Sequence, residues 1–509
     1  MRNFILAGIG LTVALAAITL SGVWSFSGRP VVDLFILAAI ANLLFYIFIR
    51  TKKQLTSGLQ VGLICGLAAI QAIGIICVRI DGTYGDGRPH FVWRWKPQPA
   101  DVNIYDGPVA TPTSIDVSRE LVWSSFRGTD RTGELDTVQG INWESDALRN
   151  TWSKQIGGGW SSFAIGDGIC ITLEQRTEYE TVVCYQLSTG NQIWKHGNMA
   201  RFKEFTGGEG PRSTPTIIGD RVYSLGATGI LNCLKLQTGE LCWSRNILEA
   251  NAIENCIFGM AGSPLVVQDL VLVTPGGKGS AIVAFNRHSG DAVWSAGNQT
   301  ASYSSPQFAN ICDFKCVLNF NGEGLSCHDL RSNRSLFEIP WVSNPEEKNN
   351  VCQPVVFKNS DGSTNIFISS GYGQGSAVFE IRRTGEHFDV SKKWSNKLLK
   401  SKFSSVVTHN GHIYGLDNGI LVCLNAQNGK RMWKQGRYGH GQIIRINDTL
   451  LIQAEKGYLA LVACAPTEFR EIKRIEALET RTWNHPACDG KYLLVRNDRK
   501  AICFELQHE

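Results

Sequence analysis

Hydrophobic and polar positions return in one fixed order along most of this chain. In "STPTIIGDRVYSLGATGILNCLKLQTGELCW", Ser213 to Trp243, a Ser/Pro-rich approach leads into three short apolar or alternating runs separated by turns. A Gly turn follows, and then a last run that carries a tryptophan. Runs of this length and period predict half-buried or buried β-strands. The outer part of the unit recurs as "TVVCYQLSTGNQIWK", "AIVAFNRHSGDAVWS" and "ILVCLNAQNGKRMWK". Its marker tryptophans, Trp152, Trp194, Trp243, Trp294, Trp341, Trp394 and Trp433, lie 39 to 53 residues apart, a spacing typical of propeller blades.

The approaches can be counted separately: "GWSSFAI", "RSTPTII", "GSPLVV", "SYSSPQF", "CQPVVF", "KFSSVV", "HGQIIRI" and "WNHPACD". The eighth unit stops after its third strand, while "NTWSKQI" around Trp152 has no three-strand set before it. Pairing the two closes a ring and removes the exposed edges of an open array. The expectation is therefore an all-β, eight-bladed β-propeller with four-stranded blades, seven being the alternative count. Within the outer hairpin Gly239 serves a tight turn, where positive φ suits glycine, and Trp243 packs one blade on the next.

The first 80 residues follow another pattern. Phe4 to Trp24, Val31 to Ile49 and Leu59 to Val78 are apolar runs long enough to span a bilayer. Arg2 precedes the first, and Arg50, Lys52 and Lys53 lie between the second and third, which places both on the cytoplasmic side. The expected organisation is three transmembrane helices over 1–80, a juxtamembrane linker and lead-in strap over 81–145, and the propeller over 146–509. The chain would then be a multi-pass protein of the inner (cytoplasmic) membrane, touching lipid through its N-terminal helices, with the propeller periplasmic. "FVWRWKP", Phe91 to Pro97, reads equally as an interfacial aromatic anchor or as a strap packed on the next domain.

Charge and cysteines narrow the function. A net charge of +5 over 509 residues leaves no basic footprint for nucleic acid. Fifteen cysteines in an exported domain would suggest disulfides, but Cys184, Cys233, Cys327, Cys423, Cys464 and Cys503 repeat at one place in successive units. Equivalent places in neighbouring repeats lie too far apart to bridge, so these read as small buried residues, with Cys233 and Cys242 the one hairpin pair to consider.

The Gly-x-x-x-Trp hairpins resemble those of PQQ-like β-propellers, the group that includes quinoprotein dehydrogenases and an outer-membrane assembly lipoprotein. The resemblance covers Trp152 to the C-terminus, and "WSSFRGTDRTG", Trp123 to Gly133, is similar to the segment that precedes such propellers in membrane-anchored bacterial members. For the dehydrogenases the resemblance implies PQQ with calcium. Against that, the chain has no Cys-Cys pair and no C-x-x-C-H, and "CDFKC" has the wrong spacing for haem attachment. Glu174, Glu209 and Asn484 are available to a calcium ion without forming a recognisable set. H-E-x-x-H, G-x-S-x-G and G-x-x-x-x-G-K-[ST] are absent, and "TPGGKGS" falls between strands as a blade turn.

The approach loops converge on one face around the axis. They supply Trp160, Arg212, Tyr303, Lys402, Arg437, Tyr438, His440, Gln442, Trp483 and His485, and the loop "LEQRTEYE" adds Glu174 and Arg176. Glu209 is expected to pair with Arg212. Surplus positive charge predicts an anionic or polyhydroxylated ligand, with Arg212 and Arg437 as a bidentate clamp and Tyr438 and Trp483 as flat faces. The set contains no nucleophile with its base and orienting group, so no catalytic residue is assigned. A binding or scaffold module for a protein, glycan or small anionic ligand is favoured over a PQQ-dependent alcohol or sugar oxidoreductase.

Overall fold

Consecutive antiparallel strands assemble into eight four-stranded blades, seen in a computed structural model. The structure describes residues 58, 59, 62, 66, 76–96 and 121–507, apart from 137, 139, 145, 146, 344, 345 and 347. The first blade spans Ala164–Met199 and the second Thr216–Asn246. Blades three to seven begin at Leu265, Gln307, Val355, Val407 and Gln442. The eighth takes three strands from Ala487–Leu506 and its outermost strand from Leu148–Gln155, with Trp152 opposite Cys503. The "NTWSKQI" segment therefore closes the ring as its missing partner strand implied.

The first strand of each blade is innermost, since first strands of neighbouring blades touch one another. Apolar clusters fill the seams between blades, such as Leu173, Val182 and Trp194 against Ile217, Val222 and Leu234 between blades one and two. The cluster around blade eight is larger and includes Trp123, Leu135, Val138 and Trp143 from the lead-in.

The hairpin tryptophans reach across these seams. The indole Nε1 of Trp152, Trp194, Trp243, Trp394 and Trp433 donates to a carbonyl of the next blade, at 2.7 to 3.0 Å. Each of the first four rings also lies flat against the turn glycine of that blade. A Cβ on Gly290 would stand 2.6 Å from the Trp243 ring, and one on Gly239 would clash with Trp194 more severely. The turn glycine thus answers to close approach as well as to its φ of 72°.

Two repeat assignments are corrected. In blade four Phe337, not Trp341, stands opposite the strand cysteine, and Trp341 lies just beyond the strand, donating to Ser370 Oγ. In blade seven Leu461 takes the strand position, and Cys464 lies past the strand end at Ala463. All described cysteines are free thiols.

The chain divides into two compact units, Met1–Pro97 with Phe205–Gly208, and Gln98–Glu204 with Glu209–Glu509. In the smaller, Val78–Thr83 pairs with Pro89–Trp93, and the exposed rings of Trp93 and Trp95 stack 4.9 Å apart. The apolar runs Phe4–Trp24 and Val31–Ile49, and most of Leu59–Val78, lie outside the described residues; Val78 itself opens a strand. Among the described residues no helix is long and apolar enough to cross a membrane.

Candidate functional site

The ring's centre is filled by the lead-in. Residues 121–135 bond to the innermost strands or their approaches in six blades. The amides of Ile165 and Ile217 donate to the carbonyls of Trp123 and Ser124. Arg127 donates to the carbonyls of Val406 and Ile443, at 2.6 and 3.0 Å. Arg131 donates to those of Ser263 and Pro306, at 3.0 and 2.8 Å, and to Pro264. Glu134 accepts from Thr408 and pairs with Arg445. Both central arginines are fully buried, and burial pulls their pKa values down, to about 10 for Arg127 and about 9 for Arg131. Gly133 permits this packing, because a Cβ there would fall 2.5 Å from the Arg127 guanidinium. No apolar period marks this segment, and its chemistry is that of a hub: guanidinium forks satisfying carbonyls that converge from several blades.

On the approach face the loops of blades six, seven, eight and one meet as an aromatic arc. Phe403 lies 5.5 Å from His440 and 5.2 Å from Trp483, and Trp483 lies 4.9 Å from Trp160. The Arg481 guanidinium sits 5.0 Å from the Trp160 ring and 4.6 Å from that of Trp483. Lys402 lies over Tyr372 and Phe403, at 5.0 and 5.1 Å. Gln442 ties the arc together by donating to the carbonyls of Phe403 and Trp483, and Glu455 accepts from the Trp483 indole at 2.9 Å. Phe403, Arg481 and Glu455 were missed in the sequence; the interleaving of a cation and an aromatic in "RTW" was the available signal for Arg481.

Other expected residues have different duties. Glu174 is fully buried and accepts from Gly157, Arg176 and the Tyr185 hydroxyl. Burial alone would raise its pKa, but Arg176 and Arg496, with those hydrogen bonds, outweigh it and hold the carboxyl below its ordinary value. Arg176 also bonds Gln192 and Tyr185, so this pair ties together strands of blade one. Tyr438 offers no flat face, being buried with its hydroxyl on Glu471 at 2.6 Å. Arg437 is exposed at the end of its strand. Arg212 packs 4.6 Å from the Phe202 ring and donates to the carbonyls of Phe258 and Gly210. Burial pushes its pKa down to about 10. Glu209 pairs with Arg201 at 2.9 Å. Tyr303 lies against Phe258 with the rings tilted and their centroids 5.6 Å apart. His485 lies edge-on to Phe126 of the hub at 4.8 Å, and burial, then Arg127, hold its imidazole pKa well below the usual value, so it is neutral.

Residues 138–435 match the family model described as outer membrane protein assembly factor BamB, a PQQ-like repeat family. The chain belongs to this family. No match was found among curated proteins. Solved structures with the same PQQ-like fold include a quinohemoprotein alcohol dehydrogenase from Comamonas testosteroni, at 13% identity over 76% of this chain and 81% of that one, with a TM-score of 0.58. A second alcohol dehydrogenase, ADHIIG from Pseudomonas putida HK5, aligns at 11% identity over 77% and 81%, with a TM-score of 0.56. BamB from Moraxella catarrhalis aligns at 14% identity over 71% and 98%, with a TM-score of 0.50. At these identities the likeness is one of fold, shared by an assembly factor and by dehydrogenases alike.

Glu174 and Glu209, the two carboxylates the sequence offers to calcium, are already engaged within the protein. A calcium ion needs carboxylate oxygens to spare. The oxygens of Glu174 are held by Arg176, Tyr185 and Gly157, with Arg496 supplying further positive charge, and Glu209 is held by Arg201. Asn484 donates its amide nitrogen to the carbonyls of Gly159 and Ser161, while its Oδ1 is buried without a hydrogen-bond partner among the described residues.

Proposed function

We propose that the protein is a binding or scaffold module rather than an oxidoreductase. Its approach face takes a protein partner, and the same surface suits a glycan or a small anionic ligand. The observation that carries this reading is the half-buried arc of Trp160, Phe403 and Trp483, with Arg481 and Lys402 set against ring faces. Aromatic rings and arginine are the anchors that protein interfaces enrich, and ring faces beside cations also suit sugars and anions. The family's namesake is an assembly factor, which agrees with binding as the whole task. The apolar N-terminal runs would hold the module at the inner membrane with the propeller on the periplasmic side.

A photoreactive residue in place of Trp483 tests the face. It should crosslink a discrete partner in native membranes, and the same residue at Asp313 should not. Equal yields from both positions would end the reading. Native mass spectrometry with added PQQ and calcium should show no stoichiometric complex, whereas PQQ binding with dye-linked alcohol oxidation would make the protein a dehydrogenase. For topology, reporter fusions after residue 100 should be active outside the cytoplasm and those within residues 51 to 55 inside.

A further inference from the structure

Every blade carries a β-bulge in its outer hairpin, and one of them holds a second cysteine. In blade two Cys233 faces Trp243 and Leu234 faces Leu241, so Cys242 is the extra residue of the bulge. A bulge sets two residues of one strand against one of its partner. Tyr223, which faces Cys233 from the other side, lies 6.0 Å from the Trp243 ring, so these side chains share one face. The thiols of Cys233 and Cys242 are within reach of each other. Both residues of the bulge, Cys242 and Trp243, stand across one strand spacing of about 5 Å from Cys233, inside the range a disulfide spans.

The corresponding bulge residues elsewhere are Ile193, Val293, Leu336, Lys393, Met432, Ile472 and Thr151. Cys184, Cys327, Cys423 and Cys503 thus occupy the strand position without a cysteine beside them in the bulge. Cys242 is exposed and Cys233 buried, so an outside reagent reaches one sulfur and the other lies behind it. A second close pair, Cys316 and Cys327 in blade four, is buried at both sulfurs.

We propose that Cys233 and Cys242 form an oxidisable pair, closed by a disulfide oxidant, that staples the outer hairpin of blade two. The Cys242 thiolate attacks the oxidant's disulfide, forming a mixed disulfide and releasing one oxidant thiolate. The Cys233 thiolate then displaces the second oxidant sulfur and closes the Cys233–Cys242 bond. Two protein thiols lose two protons and two electrons, and the oxidant disulfide becomes two thiols. Burial pushes the Cys233 thiol up to about 12, consistent with Cys242 reacting first and Cys233 resolving.

The full chain, purified in detergent, is equilibrated with oxidised and reduced glutathione, alkylated and cut with trypsin. Cys233 falls in the peptide 222–235 and Cys242 in 236–245. Oxidation should link these two peptides, with a reductant separating them, and Cys242→Ser should abolish the link while leaving the melting temperature of the reduced protein unchanged. Recovery of the two peptides separately, each alkylated or carrying glutathione, at every ratio overturns the proposal. So does equally fast joining of Cys316 to Cys327, since that requires an opened blade.

Discussion

The rim and the hub of the ring both join blade to blade, but they do so by opposite means. At the rim five tryptophans each bond one carbonyl of one neighbouring blade. A defect there stays local: Trp294 faces the turn "RSNR", which lacks glycine, and its buried indole nitrogen has no partner, yet blades three and four still pack. At the hub two buried arginines bond blades three, four, six and seven. The rim is redundant, and the hub is a single point on which several blades depend.

The largest effect should come from Arg131→Leu. It leaves the carbonyls of Ser263, Pro264 and Pro306 without their shared donor, and urea denaturation should show a loss of about 3 to 5 kcal/mol. A loss below about 1 kcal/mol would make the hub no more critical than the rim. Next comes Gly239→Ala, which strains a positive φ and drives a methyl into the Trp194 ring, for about 2 kcal/mol. Gly219→Ala, with a φ of 54° but open space around it, should cost about 1 kcal/mol or less.

A third effect is pH-dependent and belongs to the blades, since the hub arginines stay charged throughout the acid range. His328 is buried in blade four, and burial pulls its pKa down to about 4. An unfolded histidine titrates near 6.5, so between these values the unfolded chain binds a proton that the folded one refuses. Stability should therefore fall as pH drops from about 6.5 towards 4, by about 3 kcal/mol. His328→Gln should flatten that part of the profile; an unchanged slope would place the titrating group elsewhere. The smallest effect separates two rim positions. Trp243→Phe removes a bond to the Arg287 carbonyl and should cost about 1 kcal/mol more than Trp294→Phe, which removes none.

The same contrast explains what could be read from sequence. The rim was legible because its Gly and Trp recur with the blade, and strand period and repeat length together gave eight blades and their closure. Phe337 escaped because another large apolar residue fills the tryptophan slot, and Trp341 drew attention only by lying four residues further on. The hub was invisible because it occurs once: nothing in "SSFRGTDRTG" says which carbonyls Arg127 and Arg131 meet. On the approach face Trp160, Lys402, His440, Gln442 and Trp483 come together, because each lies in a loop leading to the innermost strand of its blade or at that strand's first residue. Tyr438, Glu174 and Arg176 were misplaced because a polar atom at a seam looks the same in sequence whether its partner is solvent or a buried neighbour. Arg212 is spent on carbonyls and Arg437 lies exposed at a strand end, which leaves no sign of a clamp between them.

Closure of the ring also sets a timetable for making the protein. Thr151 bonds the carbonyl of Cys503, 352 residues away, so the outermost strand of blade eight is synthesised before every blade and completed after all of them. At roughly 5 to 20 residues per second it waits on the order of 20 to 70 seconds for its partner. Through that interval an apolar seam and a strand edge stand open on the nascent chain, the state in which a chaperone is most needed and a truncated product is most readily degraded.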